Sequence, residues 1–133
     1  YLANDGEARE LSSEYNLIKA AKSLRKMGPS MVVIKKGEHG VLFYCDKFIF
    51  SLPSYPVHRI VDPTGAGDTF AGGFMGYLAK QQKIRDNDIK KAIAYGVTCA
   101  SFNVEGFGLE KTSKLRMREL NYRLNKLRGI INF

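Results

Sequence analysis

Cysteine and histidine are scarce in this sequence, which has two of each among 133 residues. Cys45 lies in an apolar run typical of a strand and Cys99 in one typical of a helix, and neither has neighbours at metal-ligand spacing. His39 and His58 lie near turns, without an acidic and a nucleophilic partner close by in sequence. We therefore expect reduced, buried thiols and surface histidines rather than a metal site or a triad, and reduced thiols favour a cytoplasmic location.

Long apolar runs and biased tracts are also missing. No stretch approaches the roughly 20 apolar residues that span a bilayer, and the start lacks a charged segment followed by an apolar core, so no membrane partner is predicted. No proline-, glycine- or serine-rich tract or repeat suggests disorder or an array. With 44% hydrophobic residues, the chain is expected to form one globular unit. It has no initiator methionine, so we expect that Tyr1 is not a natural N-terminus.

Positive charge is concentrated at one end of the chain. The formal net charge is +8, and residues 109–133, the basic tail, hold seven lysines and arginines against Glu110 and Glu119. These residues fall on one side of a predicted helix and carry no nucleic-acid recognition motif. A solvated helix face is therefore favoured over a nucleic-acid patch.

Hydrophobic periodicity predicts alternating strands and helices. The spacing from Glu7 to Met27 predicts one interrupted helix or two short ones. Strands are predicted over four ranges, Met31–Ile34, Val41–Cys45, Lys47–Leu52 and Val57–Val61. Further helices are predicted from about Asp68 to Gln82, from a cap at Asp86 or Asn87 to Phe102, and from about Ser113 to Leu127. This order indicates an α/β sandwich, and three or four strands are few for its sheet.

The segment Asp62–Gly67 is a glycine-bearing loop that opens directly onto a helix. Small residues let the backbone approach an anion, and the first N–H groups of a helix supply donors and partial positive charge. Asp68 at the same place would repel a phosphate, but it suits a general base that takes a proton from an attacking hydroxyl. The alternative is that Asp68 is only a helix N-cap.

The longer segment Asp62–Phe74 resembles, nearly residue for residue, the C-terminal signature of the ribokinase-like (PfkB) carbohydrate kinases. The resemblance implies that Asp68 is the catalytic base and that the backbone of Gly65, Ala66 and Gly67 forms an anion hole. It also implies that Asp62 and Thr64 help to bind a potassium-like monovalent cation.

Two further segments are similar to motifs of this family. Asn4–Glu7 matches an Asn-x-x-Glu motif, in which Asn4 and Glu7 would support Mg²⁺ indirectly, and the alternative is a helix cap. Val33–Gly40 is similar to a strand followed by Thr-x-Gly-x-x-Gly, which implies nucleotide-phosphate contacts by Lys35, Gly37 and Gly40. Lys35 stands where many relatives carry threonine, and an equal alternative is a hairpin with an exposed lysine pair. The loop over residues 101–108 would close over the adenine, with no single residue assigned.

The resemblance covers the chain but only the second part of the family's usual length. It implies that residues 1–133 are the C-terminal nucleotide-binding and catalytic portion of a three-layer αβα sandwich, with an incomplete sheet and the N-terminal part absent. The implied reaction is ATP-dependent phosphorylation of a sugar or nucleoside hydroxyl, with Mg²⁺ and K⁺, by a protein that forms a homodimer at full length. The alternative is a non-catalytic nucleotide-binding or scaffold remnant of the same fold.

Overall fold

Residues 1–108 and 110–133 are described by a computed structural model, so Leu109 at the start of the basic tail lies outside the described residues. They form two compact units, Tyr1–Pro53 (unit 1) and Ser54–Phe133 (unit 2), where composition predicted one. The division follows the secondary structure. Unit 1 contains the sheet and the two helices that pack on it, whereas the regular elements in the described part of unit 2 are helices.

Unit 1 contains a four-stranded mixed sheet in the order β1-β2-β3-β4. The strands are β1 (Leu2–Asn4), β2 (Met31–Lys35), β3 (Val41–Cys45) and β4 (Ile49–Leu52). β1 is parallel to β2, with Asn4 paired to Lys35, and the remaining neighbours are antiparallel. The parallel pairing brings the carboxyl ends of β1 and β2 together at one end of the sheet.

Two short helices, α1 (Asp5–Ser12) and α2 (Leu17–Lys26), connect β1 to β2 and confirm one of the two predicted alternatives. Ser13 ends α1 in a left-handed conformation with φ of 56°, and the Asn16 side chain starts α2 by accepting two N–H groups at 3.0 and 3.1 Å. α2 packs on β2 and β3, whereas α1 packs on β1 and β2. Their shared core consists of Ala8, Ala21, Leu24, Val32, Ile34 and Leu42.

Unit 2 consists of three helices joined by irregular chain, α3 (Ala66–Ala79), α4 (Asp86–Asn103) and α5 (Met117–Ile131). α3 and α4 approach closely where two glycines face each other, since a Cβ built on Gly73 would lie 3.1 Å from the Cα of Gly96. α5 packs against α4. The predicted apolar stripe of α5 is buried at Leu120, Leu124 and Leu127, whereas its fourth member, Met117, is exposed.

The prediction of a strand over Val57–Val61 is wrong, because residues 53–65 form neither helix nor strand. Three prolines, Pro53, Pro56 and Pro63, lack the backbone N–H donor that a strand ladder would use. The N–H groups of Val61 and Asp62 donate to a single carbonyl after α4 instead of a neighbouring strand. The last helix begins at Met117, four residues later than predicted, because the preceding residues form turns.

The remaining predictions on single residues have mixed outcomes. Both histidines are exposed, as expected. Both cysteines are free but only partly buried, and burial raises the pKa of the Cys99 thiol. Within the described residues, no helix has the length and apolar character that a membrane span requires.

Candidate functional site

The glycine loop, defined here as residues Asp62–Asp68, turns sharply into α3. Gly65 is the N-cap of α3 and has φ of 80°, a left-handed conformation that costs other residues about 1–2 kcal/mol. The loop is folded by two local hydrogen bonds, from the Thr64 N–H to Asp62 Oδ1 (2.9 Å) and from the Ala66 N–H to the Pro63 carbonyl (3.2 Å). The loop is therefore shaped by its own residues before any ligand is present.

The first backbone N–H groups of α3 lie together at the point where this loop enters the helix. The first helical hydrogen bond runs from the Thr69 N–H to the Gly65 carbonyl (2.9 Å), so the three N–H groups before it lie outside the helical ladder. One of them, on Ala66, is engaged in the turn of the loop. The other two, on Gly67 and Asp68, lie at the positive end of the helix dipole, which is a suitable place for an anion.

Asp68 occupies the third position of α3 and is exposed. The N-cap is Gly65, so the alternative role of Asp68 as N-cap is wrong. Among the residues that the structure describes, its carboxylate has no hydrogen-bond or ion-pair partner. Its placement at the mouth of the helix leaves it accessible to a reacting group.

Asp62 and Thr64 lie at the other end of the glycine loop. Two hydrogen bonds from Thr64 lower the pKa of Asp62 below its ordinary value near 3.8, because both favour the ionised carboxylate. The Thr64 hydroxyl has the larger effect and the Thr64 N–H the smaller one. The Thr64 carbonyl accepts a hydrogen bond at 2.8 Å from the side-chain amide of Asn103. These oxygens fit a monovalent cation in donor type, since each keeps a second lone pair.

Asn103 and Val104, at the end of α4, also hold the glycine loop, and sequence analysis did not select either residue. Asn103, the last residue of α4, is 2% exposed, and its Nδ2 donates to the Thr64 carbonyl while its Oδ1 accepts from Thr69 Oγ1 (3.2 Å). The carbonyl of Val104 accepts the N–H groups of Val61 (2.7 Å) and Asp62 (3.2 Å). An asparagine near a helix C-terminus reads in a sequence as a cap, so only the fold reveals this contact.

The Asn4–Glu7 motif forms a capping box at the start of α1. Asn4 Oδ1 accepts the Glu7 N–H (2.8 Å), and Glu7 Oε2 accepts the Asn4 N–H (3.0 Å). The helix-cap alternative is thus confirmed, and the Mg²⁺ role stays a prediction. Both residues are exposed. The second carboxylate oxygen of Glu7 takes no part in the capping box, and carboxylate oxygens are ligands that suit Mg²⁺.

The Lys35–Gly40 segment follows β2 at the same end of the sheet as Asn4, because Asn4 and Lys35 are paired. A short 3-10 helix, Gly37–His39, links β2 to the antiparallel β3, so the segment has the geometry of a hairpin. Lys35 and Lys36 are only partly exposed, so the exposed lysine pair is not confirmed, and the phosphate contacts of this segment stay a prediction. Gly40 has φ of 90°, and a Cβ there would lie 2.0 Å from the Leu52 carbonyl oxygen. Gly40 is therefore required by packing.

One basic residue of the tail, Arg123, makes several contacts with residues at the end of α4. Arg123 donates to Ser101 Oγ (3.0 Å), pairs with Glu105, and places its guanidinium 3.6 Å from the centroid of the Phe102 ring. Four other basic residues of α5 and its N-cap are exposed, namely Arg116, Arg118, Lys126 and Arg128. This distribution supports a solvated helix face.

Comparisons with known proteins agree with the resemblance. A family model described as pfkB family carbohydrate kinase matches residues 2–114. Over 85 residues the chain is 44% identical to a cytidine kinase of Thermococcus kodakarensis, covering 62% of this chain and 30% of that protein. Over 123 residues it is 30% identical to a ribokinase of Lactococcus lactis subsp. lactis, covering 91% and 39%.

Solved structures show the same fold. The aminoimidazole riboside kinase of Salmonella enterica, complexed with aminoimidazole riboside and an ATP analog, superposes with a TM-score of 0.81 at 28% identity and covers 92% of this chain and 41% of that one. A putative ribokinase II from E. coli in complex with ATP and Mg²⁺ gives a TM-score of 0.77 at 28% identity, covering 95% and 39%. The chain spans less than half the length of each of these relatives, and it carries part of the ribokinase-like α/β fold, as predicted. On the match over residues 2–114, the chain belongs to the pfkB family of carbohydrate kinases.

Proposed function

We propose that the protein containing this chain transfers the γ-phosphoryl group of ATP to a hydroxyl group of a sugar or nucleoside. One observation carries this proposal. The glycine loop presents an exposed carboxylate, Asp68, beside the first amides of α3, which is the combination that phosphoryl transfer to an alcohol needs. The names of the relatives, cytidine kinase and ribokinase, support the same class of acceptor.

In the proposed reaction Asp68 accepts the proton of the acceptor hydroxyl as its oxygen attacks the γ-phosphorus. The bond from the γ-phosphorus to its bridging oxygen breaks, and ADP leaves with the electron pair. The predicted anion hole of Gly65, Ala66 and Gly67 stabilises the charge on the transferred group through backbone N–H donors and the helix dipole. The geometry favours Gly67 and Asp68 as the first donors, because the Ala66 N–H must first leave its turn contact.

The residues of unit 1 are proposed to serve the nucleotide. Glu7, oriented by Asn4, would hold Mg²⁺ through water, and Mg²⁺ would neutralise phosphate charge. Lys35, Gly37 and Gly40 are proposed to contact the phosphates. Their position at the carboxyl ends of parallel strands, where ligands of α/β proteins bind, supports this assignment.

A monovalent cation is proposed at Asp62 and Thr64. The hydrogen bonds that keep the Asp62 carboxylate ionised support it. We expect the rate of the full-length protein to rise with potassium at fixed ionic strength. Equal rates in potassium and in a bulky organic cation would remove the cation from the proposal and leave the kinase assignment in place.

The test of the proposed function is phosphorylation of a panel of acceptors by the full-length protein. Purified protein is incubated with ATP and Mg²⁺ and with cytidine, ribose or aminoimidazole riboside, and the phosphorylated product is detected by mass spectrometry. We expect product with at least one acceptor. Binding of ATP without product from a broad sugar and nucleoside panel would favour the alternative, a non-catalytic nucleotide-binding or scaffold remnant.

We further propose that residues 1–133 are the C-terminal portion of the kinase domain, and that the rest of the longer protein supplies acceptor contacts. The chain matches only 30% of the length of the cytidine kinase and 39% of the length of the ribokinase, which supports this proposal. The 133-residue chain alone is then expected to give no product in the same assay, because orientation of the acceptor supplies about 7–11 kcal/mol of barrier reduction. A cytoplasmic location, supported by two free cysteines, and a homodimer at full length remain proposals.

A further inference from the structure

One buried amide joins the two sides of the glycine loop. The Asn103 side chain donates to the Thr64 carbonyl on the side that enters the loop, at 2.8 Å, and accepts from the Thr69 hydroxyl on the side that leaves it, at 3.2 Å. Its exposure is only 2%. A Cβ built on Gly65 would lie 3.7 Å from Asn103 Oδ1, so the amide lies directly against the tip of the loop.

The chemistry of the two contacts admits only one orientation of this amide. A carbonyl can only accept and therefore needs the NH₂ group, which leaves the amide oxygen for the Thr69 hydroxyl. The carbonyl of the next residue, Val104, holds Val61 and Asp62. The end of α4 thus contacts the glycine loop on both sides of the amides that are proposed to bind an anion.

We propose that Asn103 is a positioning residue, which sets the direction of the Gly67 and Asp68 N–H groups and of the Asp68 carboxylate. Asn103 is buried beneath the loop, so it acts through Thr64 and Thr69. The expected effect on turnover rests on the proposed function. The ordering of the glycine loop can be measured whether or not the protein is a kinase.

The variant Asn103→Asp isolates the donor. It preserves the shape of the side chain and the acceptor for Thr69, but it places a carboxylate oxygen where an N–H faced the Thr64 carbonyl. In the full-length protein we expect kcat to fall by about 10- to 100-fold, because a buried polar contact becomes repulsive, while the KM for ATP changes less than about threefold. The matched control is Asn87→Asp, the same chemical change at an exposed position in the first turn of α4, which should leave kcat unchanged.

A second pair of variants keeps the test decisive if Asn103→Asp fails to fold. Thr69→Val removes the hydroxyl that donates to Asn103 at nearly constant volume, whereas Thr69→Ser retains it. We expect the valine variant to lower kcat by about 3- to 10-fold and the serine variant to keep it within about twofold.

Amide hydrogen exchange separates positioning from general stability and from the proposed reaction. In Asn103→Asp and Thr69→Val, the hydrogen-bonded amides of residues 66 and 69 should exchange at least about tenfold faster than in wild type, while those in the middle of α4 keep their rates. Faster exchange in the two variants, together with a wild-type protein that phosphorylates none of the acceptors, would uphold the positioning and overturn the proposed function. Unchanged kcat and unchanged exchange in folded variants would overturn the positioning role and leave the kinase proposal standing.

Discussion

The two units use their candidate residues in different ways. In unit 1, Asn4 and Glu7 close the capping box of α1, and Gly40 lies where the backbone of Leu52 leaves no room for a side chain. In unit 2, Asp68 lies exposed in the first turn of α3, and the hydrogen bonds around its loop are made by other residues, among them Thr64 and Asn103. Structural contacts and proposed function thus coincide in Asn4, Glu7 and Gly40, whereas Asp68 has a proposed catalytic role and no hydrogen-bond or ion-pair partner among the described residues.

This difference determines what a substitution can reveal. A change at Asn4 or Gly40 is expected to alter stability as well as the proposed ligand contacts, so it needs a control with the same structural cost. A change at Asp68 should alter chemistry with little effect on folding. The following predictions separate the two cases.

The largest effect is expected for Asp68→Asn. Loss of a general base lowers turnover by about 10²–10⁴-fold, whereas loss of a charge near a helix N-terminus costs no more than about 1 kcal/mol of stability. Steady-state kinetics and thermal unfolding of the full-length protein measure the two effects. Glu119→Gln is a matched control, because Glu119 is exposed at the third position of α5 and should lose the same small stability without loss of turnover. Near-normal turnover in Asp68→Asn would exclude it as the base.

Gly40→Ala should cause the next largest effect, a loss of about 3 kcal/mol or more of unfolding free energy. It combines a conformation unsuited to a side chain with a Cβ 2.0 Å from the Leu52 carbonyl oxygen. Gly37→Ala is the control, since Gly37 has φ of 56° but a Cβ there would meet no atom within 4 Å, so only about 1–2 kcal/mol is expected. Urea unfolding measures both. Equal losses in the two variants would show that strain alone, without the clash, explains the glycine at position 40.

Asn4→Ala should cost about 1 kcal/mol of stability through loss of an N-cap. If Asn4 also orients Glu7 for Mg²⁺, the Mg²⁺ concentration that gives half-maximal rate should rise. Asn16→Ala removes the N-cap of α2 at a similar cost and should leave the Mg²⁺ dependence unchanged. Identical Mg²⁺ curves for the two variants would restrict Asn4 to its structural role.

The smallest effect concerns the pKa of Asp62, which lies below 3.8 because Thr64 stabilises the ionised form. A lowered pKa means that the stabilising contribution is present above pH 3.8 and is lost as the pH falls through the pKa of the folded state. Thr64→Val should raise the pKa of Asp62 toward 3.8, and an NMR titration of the carboxyl carbon measures it. An unchanged pKa in this variant would leave the Thr64 N–H alone as the cause.

Features that repeat along the sequence could be predicted, whereas features made by a single contact could not. The apolar spacing of α4 and α5 extends over several turns, and Gly65 and Gly67 mark a turn by their residue type. β1 has only three residues, too few to show an alternating pattern, and it exists because it pairs with β2. Pairing also explains why the prediction over residues 57–61 failed, since the donors there bond to Val104.

The candidate site shows the same limit. Asp68 was selected because it lies in the segment Asp62–Phe74, which resembles the family signature, whereas a short motif of two glycines and an aspartate is also typical of a helix N-cap. Asn103 is 35 residues further along the chain, and nothing near it in sequence relates it to the glycine loop. Its role depends on how α3 and α4 pack, which a single sequence does not report.

The contact between α3 and α4 makes the proposed active site adjustable from a distance. A Cβ at Gly96 would lie 2.8 Å from the Phe70 ring and 2.9 Å from the Phe70 carbonyl oxygen, so a larger residue must push the two helices apart. Gly96 precedes Asn103 by seven residues, about 10 Å along the helix axis, and a tilt introduced there is carried to the amide as a displacement. A smaller side chain at position 70 would remove the contact with the ring but not the one with the backbone carbonyl, so alanine at position 96 requires a wider spacing of α3 and α4. The spacing of the two helices and the geometry of the glycine loop are therefore coupled through α4.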